Sequence, residues 1–446
     1  MEKVILLALD GLSWNLIEEL ISNKELNYLE EIVHKGVSGV LEAEDFLSSP
    51  KIFCSIFTGK KVAKHGIRDF YSKEEDLRTN QIWDILHDLG FKVGVYRALS
   101  VWSPKKFAGF CIPSPMLLEK DTHPKELAFI GELDKKARSE KFGIIFLVKT
   151  FFRLVLFQFP MKYLLGIIKR AFLLFRSKGL EARMHLLKEI ELIIHTNLYF
   201  NLLKKYNLDF SVFFDYSFDT LGHIYWRNRN EKSKYFYVLP NVYKYIDTFI
   251  GKVYNYAKRN NYHLIICSDH GFEKIEKKNQ RNFRTINVLY LLRELKFYYD
   301  VYGIYMTGSV VFRSRPNSSR ALEDFKKALE EITCNGKTVL DIKQYEKKLI
   351  VKIKDFIGDN KNYNVRLPNG KVMRIDSIID FNPGHTGDHS NKYGVFIITG
   401  PKIKKGIKIN NITPYDITPT ILKLLEMNIP PEMDGRPLDE AFVKNE

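Results

Sequence analysis

The stretch Met1-Glu2-Lys3-Val4-Ile5-Leu6-Leu7-Ala8-Leu9-Asp10-Gly11 decides the fold of this chain. Val4–Leu9 is an uninterrupted apolar run, too short for the apolar region of an export signal and typical of a strand buried on both faces. An acidic residue and a glycine follow at once, so we expect Asp10 at the carboxyl end of a first parallel strand. Open α/β sheets gather their functional groups at such ends.

Strand signals alternate with helical spacing through the first 110 or so residues and again after residue 204. Further core strands are predicted at Lys92–Tyr96, Phe210–Asp215, His263–Ser268 and Gly394–Thr399. The predicted fold class is therefore α/β, with a mostly parallel sheet flanked by helices.

Two segments depart from this alternation. One is almost entirely helical, and the other surrounds a single helix with short strands. We predict a core α/β region over 1–112, 205–294 and 380–446, a helical insertion over 113–204 and a small α+β cap over 295–379.

The formal net charge of +16 predicts attraction to an anionic partner, which could be nucleic acid, a membrane surface or a phosphorylated substrate. No zinc-finger, basic-zipper or RNA-recognition pattern accompanies it, which disfavours sequence-specific nucleic-acid binding. The four cysteines are widely separated and indicate neither a disulfide framework nor a thiolate metal site. We expect the protein in the cytoplasm, with a peripheral position at the inner membrane face as an alternative.

Carboxylates and imidazoles recur at the ends of the predicted strands. Taken singly, each is a weak signal, since a strand-end aspartate is more often a turn or helix cap. Together they supply oxygen and nitrogen donors without thiolate, the mixture that suits Zn²⁺ or Mn²⁺ at a catalytic site. The candidate ligands are Asp10, Asp219, His223, Asp269, His270 and His389.

A candidate nucleophile, Ser49, follows the second core strand near Val40–Leu41. A serine hydroxyl can ionise when a dication binds it, because the metal lowers the pKa of a bound oxygen. The structural alternative is that Ser49 caps the helix that Pro50 opens, and the two roles are compatible.

The order of these motifs resembles the alkaline-phosphatase superfamily, and within it the type I phosphodiesterase/nucleotide pyrophosphatase family. The residues that carry the resemblance are Asp10-Gly11, Ser49-Pro50-Lys51-Ile52, Thr58-Gly59-Lys60, His65-Gly66-Ile67, Asp219 with His223, Asp269-His270-Gly271 and Gly387-Asp388-His389. The resemblance implies a metal-dependent hydrolase of phosphoric esters that forms a phosphoseryl intermediate on Ser49.

It also implies a metal set. Asp10, Asp269, His270 and Ser49 would hold one divalent ion, and Asp219, His223 and His389 the other, with zinc first and manganese second as the metal. His385 is an alternative last ligand, and Ser48 an alternative nucleophile; the family spacing to Thr58-Gly59 favours Ser49.

One departure bears on the substrate. Nucleotide-cleaving relatives have an asparagine a few residues after the nucleophile, where this chain has Ile52, so Lys51, backbone N–H groups or the metals would hold the phosphoryl oxygens. We expect a small-molecule or lipid-linked phosphodiester or pyrophosphate substrate. The alternatives are a phosphomonoesterase or phosphonate hydrolase with the same site, and a catalytically silent membrane-surface binding protein.

The segment 142–178 is basic and apolar at once. Lys149 and Arg153 are one turn apart, and Lys162, Lys169 and Arg176 recur every seven residues, which predicts a basic stripe on a helix. Two interpretations remain open: a helical cap packed on the core, or an interfacial helix pair on an anionic membrane.

Overall fold

The computed structural model describes residues 2–43, 48–70, 72–115, 121–139, 144–157, 159–177, 180–226, 233–274, 284–306, 309–314, 318, 320–345, 348–354, 357, 363–381, 386–388 and 392–443. The chain forms two compact units: Met1–Lys274 with Thr386–Glu446, and Ile275–His385.

The strands and helices of the two units are numbered here in chain order. The strands are β1 Lys3–Leu9, β2 Val37–Glu42, β3 Val93–Tyr96, β4 Phe110–Ile112, β5 Phe210–Asp215, β6 Tyr262–Cys267, β7 Glu273–Lys274, β8 Arg284–Ile286, β9 Val301–Met306, β10 Ser309–Ser314, β11 Thr333–Cys334, β12 Lys337–Thr338, β13 Leu340–Tyr345, β14 Lys348–Ile353, β15 Asn364–Arg366, β16 Val372–Arg374, β17 Ile379–Phe381, β18 Gly387–Asp388, β19 Tyr393–Thr399 and β20 Ile407–Ile412. The α-helices are α1 Trp14–Ser22, α2 Asn27–Lys35, α3 Ser49–Thr58, α4 Val62–His65, α5 Ile82–Asp88, α6 Ala128–Ser139, α7 Ile144–Leu156, α8 Met161–Arg176, α9 Leu180–Tyr206, α10 Ser217–Tyr225, α11 Val238–Arg259, α12 Val288–Glu294, α13 Ala321–Glu330 and α14 Ile417–Leu424.

The first unit is built on one sheet with the order β20-β2-β19-β6-β1-β5-β3-β4. Within this sheet only β19 runs antiparallel to its neighbours, β2 and β6. The remaining pairs are parallel. The predicted mostly parallel α/β sheet is therefore confirmed.

The central strand β1 explains the apolar run that begins the sequence. Ile5, Leu7 and Leu9 face a core that contains residues of α1, α2, α9, α10 and α11. Val4, Leu6 and Ala8 face a second core formed with α3, α5 and α14. Because side chains alternate along a strand, a strand covered on both faces needs apolar residues at every position.

The helices α6 to α9 lie in the region predicted as an insertion, and they belong to the same compact unit as the sheet. Phe129, Leu154, Leu164 and Leu198, one from each helix, join the core on the β1 side. Within the described part of the chain, no helix is both long enough and apolar enough to cross a membrane.

The second unit has its own apolar core, centred on Phe312, Phe325 and Val351. Its sheets have the orders β13-β14-β10-β9, β12-β11-β15-β16 and β17-β8, with α13 packed against the first. The predicted cap over 295–379 falls inside this unit. The five-part division of the chain remains a prediction.

Candidate metal-dependent active site

The site lies at the carboxyl ends of three adjacent parallel strands, β6, β1 and β5. Asp10 follows β1, and its backbone N–H donates to the carbonyl of Asp215 at the end of β5 at 2.8 Å. The N–H of Asp219 donates to the carbonyl of Asp10 at 3.0 Å. The parallel register therefore brings together residues that are more than 200 positions apart in the sequence.

Gly11 permits this close approach. Its φ of +75° lies in the left-handed region, and a Cβ at this position would come within 2.9 Å of the Asp219 backbone. A glycine is therefore required for the backbone between Asp10 and α1 to pass this close to α10.

A buried cluster of Asp10, Asp269 and His270 forms the centre of the site. Ligand atoms of these three residues lie within 4.8 Å of one another. His270 Nε2 is 3.6 Å from Asp10 Oδ1 and 3.3 Å from Asp269 Oδ2. The N–H of Gly11 donates to Asp269 Oδ1 at 3.2 Å, which orients this carboxylate towards the cluster.

The hydroxyl of Ser49 borders the same cluster, donating to Asp10 Oδ1 at 3.2 Å. Ser49 is the first residue of α3, which Pro50 opens and which ends at Gly59 in the left-handed conformation, φ +68°. The positive end of the helix dipole therefore lies beside a buried hydroxyl, where it favours negative charge.

Asp219 and His223 extend the cluster from α10. The carboxylate and imidazole are four residues apart on one face, with His223 Nε2 at 3.3 Å from Asp219 Oδ1. Asp219 Oδ1 also lies 3.9 Å from His270 Nε2, so the pair borders the central cluster.

Both imidazoles present the same nitrogen to the site. The Nδ1 of His223 is 3.2 Å from the carbonyl of Gly387, and the Nδ1 of His270 is 3.1 Å from that of Gly271. A carbonyl oxygen can only accept, so each Nδ1 carries the proton and each Nε2 is a lone-pair donor directed at the carboxylates. This is the tautomer that metal-binding histidines adopt.

The electrostatics of the cluster favour a cation. Burial raises the pKa of Asp10 well above its usual range, and the neighbouring carboxylates of Asp269 and Asp219 raise it further. Among the described residues, none donates a hydrogen bond to the buried Oδ2 of Asp269. Carboxylate and imidazole donors around uncompensated negative charge fit a divalent metal ion.

Six of the seven predicted site residues come together in this cluster: Asp10, Ser49, Asp219, His223, Asp269 and His270. His389 and its alternative His385 lie outside the described residues. Ile52, which replaces the family asparagine, packs in the apolar core and offers the site no polar group.

Sequence reasoning missed a buried ion-pair network beside the site. Arg97 directly follows β3 and contacts Asp134 of α6 at 2.7 Å and Asp215 at 3.7 Å. Burial alone would lower the pKa of Arg97, but Asp134, Tyr216 and Asp215 raise it. Isolated charged residues give no pattern in the sequence, and only the tertiary structure brings them together.

Asp215 connects this network to the metal-ligand candidates. Its Oδ1 accepts the N–H of Ser217 at 2.8 Å at the start of α10, the helix that carries Asp219 and His223. Asp215 is therefore a positioning residue, and its side chain links the Arg97 network to the orientation of α10.

His65 belongs to a motif that the sequence singled out without a role. The N–H of Ile67 donates to His65 Nδ1 at 3.1 Å, so the ring proton is on Nε2, which donates to Ser55 Oγ at 3.0 Å. Ser55 lies on α3 with Ser49. His65 thus connects the loop after α4 to the helix that carries the candidate nucleophile.

His65 is expected to make the protein less stable in acid. Burial, aided by the charge of Lys51, lowers the pKa of His65 from 6.5 to about 4. Below pH 6.5 the unfolded chain binds a proton that the folded protein excludes, so the free energy of unfolding should fall by up to about 3 kcal/mol as the pH drops from 7 to 4. Urea unfolding at several pH values between 7 and 4 would measure this decrease in the free energy of unfolding.

The control is His65→Gln, which removes the titrating ring. The stability difference between wild type and variant should shrink as the pH falls from 7 to 4, because only the wild type loses the His65 contribution. A difference that stays constant across this range would contradict the assignment.

A buried serine beside clustered carboxylates and imidazoles, at the strand ends of a mostly parallel sheet, is suited to metal-dependent hydrolysis of esters. The sequence pattern of the family described as "Type I phosphodiesterase / nucleotide pyrophosphatase" matches residues 4–369. The chain belongs to this family, and it is a hydrolase of the phosphodiesterase/pyrophosphatase class within the alkaline-phosphatase superfamily. The family is metal-dependent, and the matched range contains every described candidate ligand.

Three solved structures are similar to the chain at low identity. Human ectonucleotide pyrophosphatase / phosphodiesterase 5 has a TM-score of 0.49 and 13% identity, covering 99% of this chain and 100% of its own. The inactive murine enzyme in complex with AMP has a TM-score of 0.47 and 13% identity, with the same coverage. Another structure of the murine enzyme has a TM-score of 0.44 and 14% identity, covering 96% of each chain. Comparison with curated proteins gives no match.

Proposed function

We propose that this chain hydrolyses phosphodiester or pyrophosphate bonds through a phosphoseryl intermediate on Ser49. The observation that carries the proposal is the 3.2 Å hydrogen bond from Ser49 Oγ to Asp10, inside a buried cluster of metal-type donors. A serine that only capped α3 would not need three carboxylates and two imidazoles around it.

Two divalent ions would be held by side chains of the cluster together with His389, zinc being the first candidate and manganese the second. Asp10, Asp269, His270 and Ser49 would bind one, and Asp219, His223 and His389 the other. When bound, the ions would favour ionisation of the serine hydroxyl and neutralise charge on the phosphoryl oxygens.

The chain's own groups then define the reaction. The hydrogen bond to Asp10 occupies the proton of Ser49 Oγ and leaves an oxygen lone pair for phosphorus. Attack forms the serine–phosphorus bond while the bond from phosphorus to the leaving oxygen breaks, and the serine proton passes to Asp10 and from there to the departing oxygen. Water then attacks phosphorus and breaks its bond to Ser49 Oγ; one proton of the water returns to Ser49 Oγ, and the hydroxyl stays on the phosphoryl product. The positive end of α3 favours the negative phosphoryl group throughout.

The substrate class is tested by comparing diesters with monoesters. We expect bis-para-nitrophenyl phosphate to show a kcat/KM at least about tenfold above that of the monoester, with zinc or manganese restored to metal-free enzyme. A panel of nucleotides, dinucleotides, lipid phosphates and phosphonates would then narrow the substrate.

A higher kcat/KM for the monoester than for the diester would favour the alternative function, a phosphomonoesterase that uses the same residues. Absence of hydrolysis with either metal, in folded protein that binds no zinc or manganese, would contradict the proposal. The cytoplasm, with peripheral contact at the inner membrane face, stays our prediction for localisation.

A further inference from the structure

Helices α7 and α8 expose a row of large apolar side chains. On α8 these residues are spaced three or four apart, so they form one stripe along the helix, and α7 exposes two more residues one turn apart. Each is between 52% and 80% exposed. The residues of this apolar stripe are Phe152, Leu156, Met161, Leu165, Ile168 and Phe172.

The opposite faces of the same helices are occupied. Leu154, Phe159 and Leu164 are buried in the core on the β1 side, and Phe151 and Ile167 pack against it. Because the core already covers these faces, α7 and α8 fulfil the cap role weighed from the sequence. The apolar stripe is a second apolar surface, and no packing within the described part of the chain covers it.

The charge of the segment is one-sided. Residues 141–180 contain eight basic residues and no acidic residue, and they therefore carry half of the formal net charge of +16. Three exposed cations lie on α8 beside the stripe. Lys162 and Lys169 each directly follow a stripe residue, and Arg176 lies one helical turn after Phe172. Cationic groups thus run along one side of the apolar stripe.

We propose that the apolar stripe and its cations bind the surface of an anionic phospholipid bilayer. The apolar side chains would enter the boundary between headgroups and acyl chains, and Lys162, Lys169 and Arg176 would meet the phosphate groups. Because the other faces of α7 and α8 pack on the core, these amphipathic helices would lie parallel to the bilayer surface.

Charge distinguishes this partner from a second copy of the chain. Pairing two such faces would bring cations together without any acidic residue from 141–180 to neutralise them. A purely apolar partner would offer the cations no opposite charge, whereas an anionic lipid surface offers acyl chains to the apolar stripe and phosphate groups to the cations. The inference does not depend on Ser49 or on the proposed reaction.

The test is co-sedimentation of the full-length protein with vesicles of phosphatidylcholine alone, or with 30% phosphatidylglycerol, at 0.1 M and 0.5 M NaCl. We expect binding that requires the anionic lipid and weakens at high salt. The charge variant Lys162→Gln/Lys169→Gln/Arg176→Gln and the stripe variant Leu165→Ser/Ile168→Ser/Phe172→Ser should each lower the partition coefficient at least about tenfold.

Matched controls lie elsewhere on the surface. Lys92→Gln/Lys405→Gln/Lys408→Gln removes the same charge, and Tyr299→Ser/Val372→Ser removes exposed apolar residues, and both should bind as the wild type does. Circular dichroism spectra and thermal unfolding midpoints should be unchanged in all four variants, which separates loss of membrane binding from loss of folding.

Two results would overturn the inference. One is a vesicle result: wild type that sediments equally with neutral and anionic vesicles, or stripe and charge variants that sediment with anionic vesicles as strongly as the wild type does. The other is a wild-type dimer in light scattering that the stripe variant converts to a monomer, because the face would then be an interface between copies.

Discussion

Replacing Ser49 with alanine is expected to lower kcat/KM for a phosphodiester by about 10⁴-fold or more, because removal of a nucleophile abolishes the covalent route and leaves only residual catalysis. The fold should survive, since the change removes one oxygen from a buried position at the start of α3. Zinc content, measured by inductively coupled plasma mass spectrometry, should stay close to that of the wild type because three other candidate ligands of that ion remain.

Ser48→Ala is the matched control, since Ser48 is the neighbouring hydroxyl and the alternative nucleophile. Its side chain makes no capping hydrogen bond to α3, so its loss should change activity by less than about threefold. An active Ser49→Ala enzyme alongside an inactive Ser48→Ala enzyme would identify Ser48, and not Ser49, as the nucleophile. Activity in both variants would rule out the phosphoseryl mechanism.

Replacing Asp10 with asparagine is expected to have opposite effects with and without metal. Without metal, burial and the carboxylates of Asp269 and Asp219 disfavour the charge of Asp10, so its removal should raise the free energy of unfolding by about 1–3 kcal/mol. With saturating zinc the wild type should gain several kcal/mol that the variant largely lacks, because a ligand that binds only the folded state stabilises it. Thermal unfolding with EDTA and with zinc measures both effects, and hydrolysis should be lost.

Asp247→Asn provides the comparison at a buried carboxylate away from the site. Asp247 accepts the backbone N–H groups of Leu29 at 2.7 Å and Tyr28 at 3.2 Å at the start of α2. Burial raises the pKa of Asp247 as it does that of Asp10, but asparagine would also turn an amide nitrogen towards one of these backbone donors. That loss outweighs the relief of buried charge, so stability should fall by about 1–3 kcal/mol with EDTA and with zinc alike. If Asp10→Asn behaved in this way, or kept the zinc-dependent gain and the activity, the metal cluster would be refuted.

The predictable part of the fold came from local pattern. Val4–Leu9 is apolar at every position because β1 is covered on both faces, and this alone indicates a central strand. Asp10, Asp219 and Asp269 were predicted as ligands because each follows a strand signal at its carboxyl end. The family motifs added Ser49, which without them is hard to distinguish from a helix cap.

Local sequence pattern did not predict the buried charge network or the exposed face of α7 and α8. Arg97, Asp134 and Asp215 are ordinary charged residues in the sequence, and they form a network only because β3, β5 and α6 meet beside the site. The sequence also left the segment 142–178 open between a cap and a membrane surface. The structure shows one face of α7 and α8 packed in the core and the other exposed, which periodicity alone could not assign because both faces are apolar.

The sequence by itself determined which residues stand at strand ends, which donor types they offer, and to which family their spacing belongs. Tertiary structure decided which of these groups are neighbours, which histidine nitrogen faces the carboxylates, and which apolar helix surface stays exposed. The physical reason is that periodicity and turn residues are short-range properties of the chain, whereas distances between side chains depend on sheet register and packing across hundreds of residues.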